Sequence, residues 1–266
     1  MNRFQSLFKN KDKKIFIPYF TLGDPTPDQS FELICEIIEA GAEALELGIP
    51  FSDPVADGPT NQRAMQRALN AGMTFDKALE CITQIRQKYP LLPIGLLIYY
   101  NLIFKRGIAR TYTELAKAGV DALICAELPL EESIEHEKLL LEHNLGCVHM
   151  VFPNTPLERA KQSLLRSSAF TYVVARAGTT GAQESLQLDL EKRLHNLKHL
   201  HDSPLVVGFG LSRPEHVKNV WDAGANGAIV ASCFANWIEQ DQNQLEIPIK
   251  KIKTFMQQLE IPTKIK

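Results

Sequence analysis

Residues 44–60 read ALELGIPFSDPVADGPT, an apolar strand followed by an acidic loop and the start of a helix. Glu46 interrupts the apolar strand, and an ionised carboxylate in such a place is costly unless it is paired or used. The loop carries Asp53 and Asp57, and Pro59 stands where a helix can begin. Parallel α/β sheets build their sites from loops at the carboxyl ends of strands, so this order is typical of a catalytic loop.

Each acid also has a purely structural interpretation. Glu46 could lie at a frayed strand end with its carboxylate in water. Asp53 and Asp57 could serve only as turn formers. From these residues alone, both interpretations stay open.

Alternating strand and helix patterns fill the rest of the chain. Apolar periodicity predicts eight strands, at 15–20, 44–49, 93–99, 122–126, 147–152, 170–175, 205–208 and 227–230. Helical spacing predicts helices at 29–40, 59–69, 75–89, 107–118, 131–143, 157–166, 189–199 and 214–223, and from 232 and 245. Eight strand–helix units in about 250 residues predict a (β/α)8 TIM barrel, because doubly wound open sheets usually have fewer strands.

Two further features complete the predicted architecture. Phe4, Leu7 and Phe8 are spaced three and four apart, which predicts an extra short N-terminal helix. No linker and no break in composition divides residues 1–266, so we predict a single barrel domain.

Composition limits the classes of partner and compartment. A formal net charge of -2 argues against nucleic acid or an anionic membrane as a partner. No apolar run is long enough for a signal peptide or a spanning helix, so the cytoplasm is the predicted compartment. The five cysteines are scattered singly without a CxxC pair or a Cys/His cluster, which predicts reduced core residues and no metal site.

The last three predicted strands are followed by loops suited to an anion. The segment 208–212, GFGLS, follows the seventh strand, and Ala231 and Ser232 follow the eighth and open a short helix. Glycines let backbone amides approach an anion closely, and a helix N-terminus adds partial positive charge. We therefore predict a phosphate site made of backbone amides, although the glycines could simply form a tight turn.

The segment 176–188 after the sixth strand is long and poor in apolar residues. It could be a plain surface connection. Its place at the mouth of the predicted site favours a mobile lid that closes over the substrate.

The motif at 45–60 resembles the signature of the tryptophan synthase alpha subunit. The likeness extends over nearly the whole chain through matching segments at 17–25, 93–99, 172–182 and 208–212. The resemblance implies a retro-aldol cleavage of indole-3-glycerol phosphate into indole and glyceraldehyde-3-phosphate, with no bound cofactor. It also implies an αββα complex, in which indole passes to a pyridoxal-phosphate beta subunit contacted by 51–55, 101–108 and 128–133.

The resemblance and the chemistry together assign roles to residues. Glu46 would move protons at indole C3 and the glycerol hydroxyl, and Asp57 would stabilise the cation on the ring nitrogen. Tyr172 would orient Glu46, although from the sequence alone it could equally be an aromatic residue that lines the barrel. Thr180 would couple lid closure to Asp57. The indole pocket would be flanked by Tyr19, Leu97, Phe209 and Ile229, and the phosphate would be bound by the amides of Gly181, Gly210, Ala231 and Ser232.

Three positions depart from the family pattern. Ala231 stands where the family usually has Gly, which could crowd the phosphate. Asn61 replaces an apolar residue, so its side chain needs a polar partner if it points into the indole pocket. Glu127 stands in place of the usual Asp, one methylene longer. We expect activity to be retained, because neither Asn61 nor Glu127 should touch the two predicted catalytic acids.

Two alternatives remain in view. A phosphosugar isomerase, or another barrel that binds a phosphorylated ligand, would have the same phosphate cradle, but the loop 50–60 supplies no lysine for a Schiff base. A non-catalytic alpha-like subunit that only activates a beta partner is the second. The intact Glu46 and Asp57 argue against it, while Ala231 and Asn61 keep it open.

Overall fold

The structure is a computed structural model that describes residues 2–175 and 183–261, without the side chains of 183–188. The strands in these ranges are β1 (Ile15–Thr21), β2 (Leu45–Gly48), β3 (Ile94–Leu97), β4 (Ala122–Ile124), β5 (Gly146–Val148), β6 (Met150–Val151), β7 (Thr171–Val174), β8 (Leu205–Gly208) and β9 (Gly227–Val230). All strand pairs are parallel, as expected when helices connect successive strands.

Helices alternate with these strands. They are α1 (Arg3–Leu7), α2 (Pro27–Glu39), α3 (Pro59–Asn70), α4 (Phe75–Lys88), α5 (Tyr100–Arg106), α6 (Ile108–Ala118), α7 (Ile134–Glu142), α8 (Leu157–Arg166), α9 (Gln183–Leu200), α10 (Pro214–Asp222), α11 (Ser232–Gln240) and α12 (Glu246–Gln258). A single 3-10 turn, Leu130–Glu132, precedes α7. None of the described helices is long and apolar enough to cross a membrane.

The sheet closes into a barrel through one interrupted strand. In the order β5-β4-β3-β2-β1-β9-β8-β7-β6 the two end strands are consecutive in the chain, separated by His149 alone. β5 pairs with β4 and β6 pairs with β7, so residues 146–151 join both edges of the sheet. They correspond to the single predicted strand at 147–152, and the prediction of a TIM barrel is confirmed.

Two helix predictions were incomplete. Helix α5, which directly precedes α6, was not predicted. Gly107 separates the two helices with a φ of +98°, a value that glycine adopts without strain. α9 begins at Gln183, so the predicted lid 176–188 is helical from 183 onward. The remainder of that predicted lid, 176–182, lies outside the described residues.

Strand periodicity divides the apolar side chains into two layers. On β1, Ile15, Ile17 and Tyr19 point into the barrel, while Phe16 and Phe20 pack outward against the helices. The same alternation turns Leu45 and Leu47 outward on β2. Glu46 between them therefore faces the interior of the barrel.

The amino-terminal end of the barrel is plugged by α1. Phe4 packs against Phe8 and Phe170, with ring centroids 6.4 and 5.3 Å apart. Beside this plug, Asp121 is buried at 3% exposure and pairs with Arg3 and Arg86 at 2.8 and 2.7 Å. The barrel interior can open only at its other end.

Candidate active site

A cavity of about 390 Å³ opens at the carboxyl ends of the strands. Every predicted site residue within the described ranges lines it: Tyr19, Glu46, Asp57, Leu97, Tyr172, Phe209, Gly210, Ile229, Ala231 and Ser232. Thr180 and Gly181, predicted for the same site, lie outside the described residues. None of the described residues that line the cavity is Lys, Arg or His, and the reactive side chains among them are acids and hydroxyls.

Glu46 is a buried acid without a partner for one of its oxygens. Its side chain is 3% exposed, and Oε2 makes no hydrogen bond within the described structure. Burial, with a smaller contribution from the nearby charge of Asp57, raises the pKa of Glu46 to about 8. Near neutral pH this carboxyl group can both donate and accept a proton, as general acid–base catalysis requires.

Asp57 is held by two neutral donors. The Tyr99 hydroxyl donates to Oδ2 at 2.6 Å, and Asn61 Nδ2 donates to Oδ1 at 3.0 Å. Burial raises the pKa of Asp57, while the hydrogen bonds from Tyr99 and Asn61 oppose that rise. The carboxylate is thereby fixed at the cavity wall. Asp53 has a different position: it is exposed and accepts a bond from Ser52 at 2.5 Å, as a turn former does.

Tyr99 is the partner of Asp57 that sequence reasoning missed. Its hydroxyl also accepts a hydrogen bond from Ala56 N at 3.2 Å, and its ring stacks on Phe51 at 5.2 Å. These contacts attach the acidic loop to the start of α5. Tyr99 ends the predicted third strand, and a tyrosine at the carboxyl end of a barrel strand was the available signal.

Two tyrosines reach into the barrel from β1 and β7. A Cβ atom at Gly48 would collide with the Tyr19 hydroxyl, and one at Gly208 would collide with the Tyr172 hydroxyl. Each glycine thus gives a tyrosine the room to lie across the next strand. Burial raises the pKa of Tyr19 and of Tyr172 well above the usual value, so both stay protonated donors.

The loops after β8 and β9 contribute residues to the wall of the cavity. Gly210 and Phe209 both have positive φ, 85° and 69°, which is common for glycine and costly for phenylalanine. The Phe209 ring contacts Tyr172 edge-on at 6.1 Å. Ala231 precedes the first residue of α11, Ser232, so the positive end of that helix faces the cavity.

The other two departures from the family pattern both find polar partners. Asn61 does line the cavity, and its partner is Asp57, so the prediction that Asn61 does not touch a catalytic acid was wrong. Glu127 accepts a short hydrogen bond from the backbone amide of Tyr100, at the start of α5. Glu127 therefore fastens the first turn of that helix and does not line the cavity.

One group of potential metal ligands occurs elsewhere and was not predicted. The ligand atoms of Glu137, Cys147 and His149 all lie within 4.8 Å of one another. The Glu137 carboxylate is already bound by Arg166, at 2.6 Å from Oε1, and by the Ser133 hydroxyl at 2.7 Å. The positively charged guanidinium of Arg166 already occupies the Glu137 oxygen that a metal ion would need. We therefore interpret this group as a structural hydrogen-bond network.

Fold and cavity together define a class: a TIM-barrel enzyme with a buried acid, Glu46, and a half-buried acid, Asp57, at the carboxyl end of the barrel. The sequence profile of the family described as "Tryptophan synthase alpha chain" matches residues 4–264. The tryptophan synthase alpha chain of Shigella sonnei is 43% identical over 267 residues, covering 99% of this chain and 100% of the relative. That of Klebsiella pneumoniae subsp. pneumoniae is 42% identical, with 99% of both chains covered.

Solved structures agree with the sequence relatives. Tryptophan synthase subunit alpha from Legionella pneumophila superposes with a TM-score of 0.87 at 31% identity, covering 98% of this chain and 99% of the other. A chain from the tryptophan synthase a2b2 complex of Pyrococcus furiosus gives 0.85 at 34% identity, covering 92% and 97%. The chain belongs to the tryptophan synthase alpha chain family. This membership confirms the resemblance, and it makes the chain a lyase and not a phosphosugar isomerase.

Proposed function

We propose that Glu46 and Asp57 carry out the family's lyase reaction, the cleavage of indole-3-glycerol phosphate to indole and glyceraldehyde-3-phosphate. The observation that carries this proposal is the unpartnered Glu46 oxygen in the cavity, on an acid whose pKa is about 8. Natural cores rarely keep a buried carboxyl group without partners unless it has a task. Its neighbour Asp57 supplies a second, oriented carboxylate.

Proton transfer by one carboxyl group accounts for both halves of the reaction. Protonated Glu46 gives its proton to indole C3, which leaves a cation on the ring nitrogen. The Glu46 carboxylate then takes the proton of the hydroxyl on the attached glycerol carbon. The hydroxyl oxygen becomes the aldehyde oxygen as the carbon–carbon bond breaks. The electron pair of the broken bond returns to the ring and neutralises its positive charge, so Glu46 ends protonated as it began.

Asp57 stabilises the charge that develops between these steps. A carboxylate facing the ring N–H lowers the energy of the cation, and in a cavity with little water its effect exceeds that in solution. The donors on Asp57 keep it oriented before the substrate arrives. Its orientation therefore costs nothing during the reaction.

Substrate binding uses the remaining walls. Tyr19, Leu97, Phe209 and Ile229 flank the indole, and the Tyr172 hydroxyl lies beside the reacting glycerol and Glu46. The phosphate is bound by the amides of Gly210, Ala231 and Ser232 at the N-terminus of α11. Gly181 remains a fourth predicted amide, and Thr180 the predicted lid contact, both outside the described residues.

We also propose a beta subunit as the partner. Two of the predicted contact segments carry exposed apolar side chains, Val55 at 76% and Phe104 at 66%. The Tyr99 hydroxyl links their surroundings, since it bonds Ala56 and Asp57 directly after the segment 51–55, and Tyr99 immediately precedes α5, which carries most of the segment 101–108. Contact on this side would thus order the catalytic loop. The cytoplasm stays the predicted compartment, and five free cysteines fit a reducing environment.

The test is release of indole by the purified chain. Incubation with indole-3-glycerol phosphate should yield indole and glyceraldehyde-3-phosphate in equal amounts, and added beta subunit should stimulate the rate. Coupling of that kind is typically worth about 5–150-fold. A chain that binds and stimulates a beta subunit while releasing no indole would establish the non-catalytic alternative.

A further inference from the structure

Asn61 carries an unsatisfied polar atom inside the catalytic cavity. It lies in the first turn of α3, where its Nδ2 donates to Asp57 Oδ1 at 3.0 Å. Its Oδ1 is buried and has no hydrogen-bond partner among the described residues. An unpaired buried amide oxygen costs free energy, so a natural chain retains one mainly where another group pairs with it in a functional state.

The orientation of this amide follows from chemistry. An ionised carboxylate only accepts hydrogen bonds, so Asn61 must turn its NH2 group toward Asp57. Rotating the amide by half a turn would bring two acceptors together. The carbonyl oxygen is therefore left without a donor among the described residues, and a bound molecule can supply one.

We propose that Asn61 is a positioning and specificity residue, whose Nδ2 holds Asp57 and whose Oδ1 shares with Asp57 the hydrogen bond from the single N–H of the bound ring. This inference rests on the proposed function, in which Asp57 faces the ring N–H. The ligand class it selects is a bicyclic aromatic ring bearing an N–H group. An apolar side chain at this position would offer the ring no such acceptor.

The side chains around Asp57 explain why the hydrogen bond from Asn61 affects the pKa of Asp57. The titratable side chains facing it are Glu46, Tyr19, Tyr99 and Tyr172, and none of the described residues lining the cavity is a cation. Only neutral donors, Tyr99 and Asn61, offset the cost of burying the carboxylate. Loss of the Asn61 donor should raise the pKa of Asp57 further and move the acid limb of activity to higher pH.

The positioning role is tested by a double-mutant cycle in the full chain. Asn61→Leu keeps a similar volume and removes both polar atoms, and we expect kcat to fall about tenfold, the factor for losing a hydrogen bond to a charged group. In an Asp57→Asn background the same change should cost little more, because the carboxylate that it positions is gone. Full additivity of the two losses would overturn the positioning role.

The acceptor role is tested with two ligands of nearly the same shape. Indole has a ring N–H, and benzofuran has an oxygen in its place. Inhibition constants of the wild-type chain should favour indole, and Asn61→Leu should reduce that preference about tenfold. An unchanged preference would mean that Oδ1 pairs with water only and would overturn the acceptor role.

Gln62→Leu is the matched control. Gln62 is the exposed neighbour on the same turn, and its Nε2 donates to the backbone oxygen of Asp57 at 2.8 Å without touching the carboxylate. This variant should keep both the acid limb and the indole preference. Equal shifts in both variants would show a general loosening of the loop and refute the inference.

The proposed function and this inference fail in different ways. If Asp57→Asn alone leaves cleavage at the wild-type rate, the proposed role of Asp57 is wrong and the inference falls with it. If Asp57→Asn is impaired and Asn61→Leu behaves like wild type, only the inference is wrong. Thermal unfolding of each variant shows whether a loss of rate reflects a loss of folded protein.

Discussion

Asp121 and Glu46 are buried to the same extent, 3% exposed, at opposite ends of one barrel, yet their surroundings differ completely. Asp121 accepts bonds from Arg3, from Arg86 and from the Ile94 amide at 2.8, 2.7 and 2.8 Å. Glu46 has an oxygen with no hydrogen-bond partner in the part of the chain that the structure describes. A carboxylate with all its partners supplies structure, whereas one kept without partners stays available for a substrate.

The largest expected effect is that of Glu46→Gln on the reaction. Gln keeps the shape of the acid but cannot exchange a proton, so cleavage should fall by about 10²–10⁴-fold, the usual contribution of acid–base catalysis. Stability at pH 7 should not fall and should rise, because folded Glu46 must stay protonated there while the unfolded carboxyl group ionises, a cost that the neutral Gln does not carry. Indole release and urea unfolding measure the two quantities. Activity within about tenfold of wild type would rule out the proton-shuttle role.

The opposite pattern is expected for Asp121→Asn. This change leaves the Arg86 guanidinium without its carboxylate, and breaking such a pair costs roughly 3–5 kcal/mol when it is buried. The free energy of unfolding should therefore drop, while kcat of the folded fraction stays the same. Asp202→Asn is the matched control, since its ion pair with Lys11 is exposed and should not contribute measurably. A drop in kcat without a drop in stability would contradict this comparison.

Asp57→Asn should reduce the cleavage rate by as much as Glu46→Gln or by less. The amide still offers the ring N–H an oxygen but no negative charge, so the cation is less stabilised and we expect a loss of about tenfold or more. The hydrogen bond from Tyr99 could survive at the same oxygen. Steady-state kinetics should place the loss in kcat and not in KM. A fully active variant would reduce Asp57 to a turn former.

The smallest expected effect is a pH dependence with two linked parts. Because Glu46 must begin protonated, the rate should fall as pH rises through about 8. Its folded pKa is above the unfolded value of 4.5, so its contribution to stability is complete below that value and is lost as pH rises through about 8.

The slope of that loss is at most about 1.4 kcal/mol per pH unit for one group. Urea unfolding at several pH values should show this slope in wild type and a flatter curve in Glu46→Gln. A rate limb near pH 8 that survives in the Gln variant would belong to another group.

Much of the site could be predicted from local sequence. Period-two alternation on β1 and β2 places Tyr19 and Glu46 in the barrel interior, and the register pairs these two residues side by side. Strand ends followed by Gly210 and Ser232 indicate the anion-binding end, because parallel strands bring their carboxyl ends to one edge. These inferences depend on spacing along the chain, which the sequence displays directly.

Other features depended on contacts between distant segments. Tyr99 bonds Asp57 across 42 positions, and Arg86 bonds Asp121 across 35. The break of the strand at His149 and the helix α5 also were not predicted. No local pattern in the sequence identifies which residues form such pairs. The side chain that offsets the cost of burying a carboxylate can come from any segment that the fold brings near it.

The sequence by itself thus determined the barrel, the end at which its site opens and the two acids that occupy it. Only the tertiary structure decided that Glu46 has an oxygen without a partner among the described residues, while Asp57 is held by hydrogen bonds from Tyr99 and Asn61. Periodicity reflects which face of an element is buried, and that is a local property. Pairing, and with it the pKa of a buried group, depends on neighbours that approach only when the chain folds.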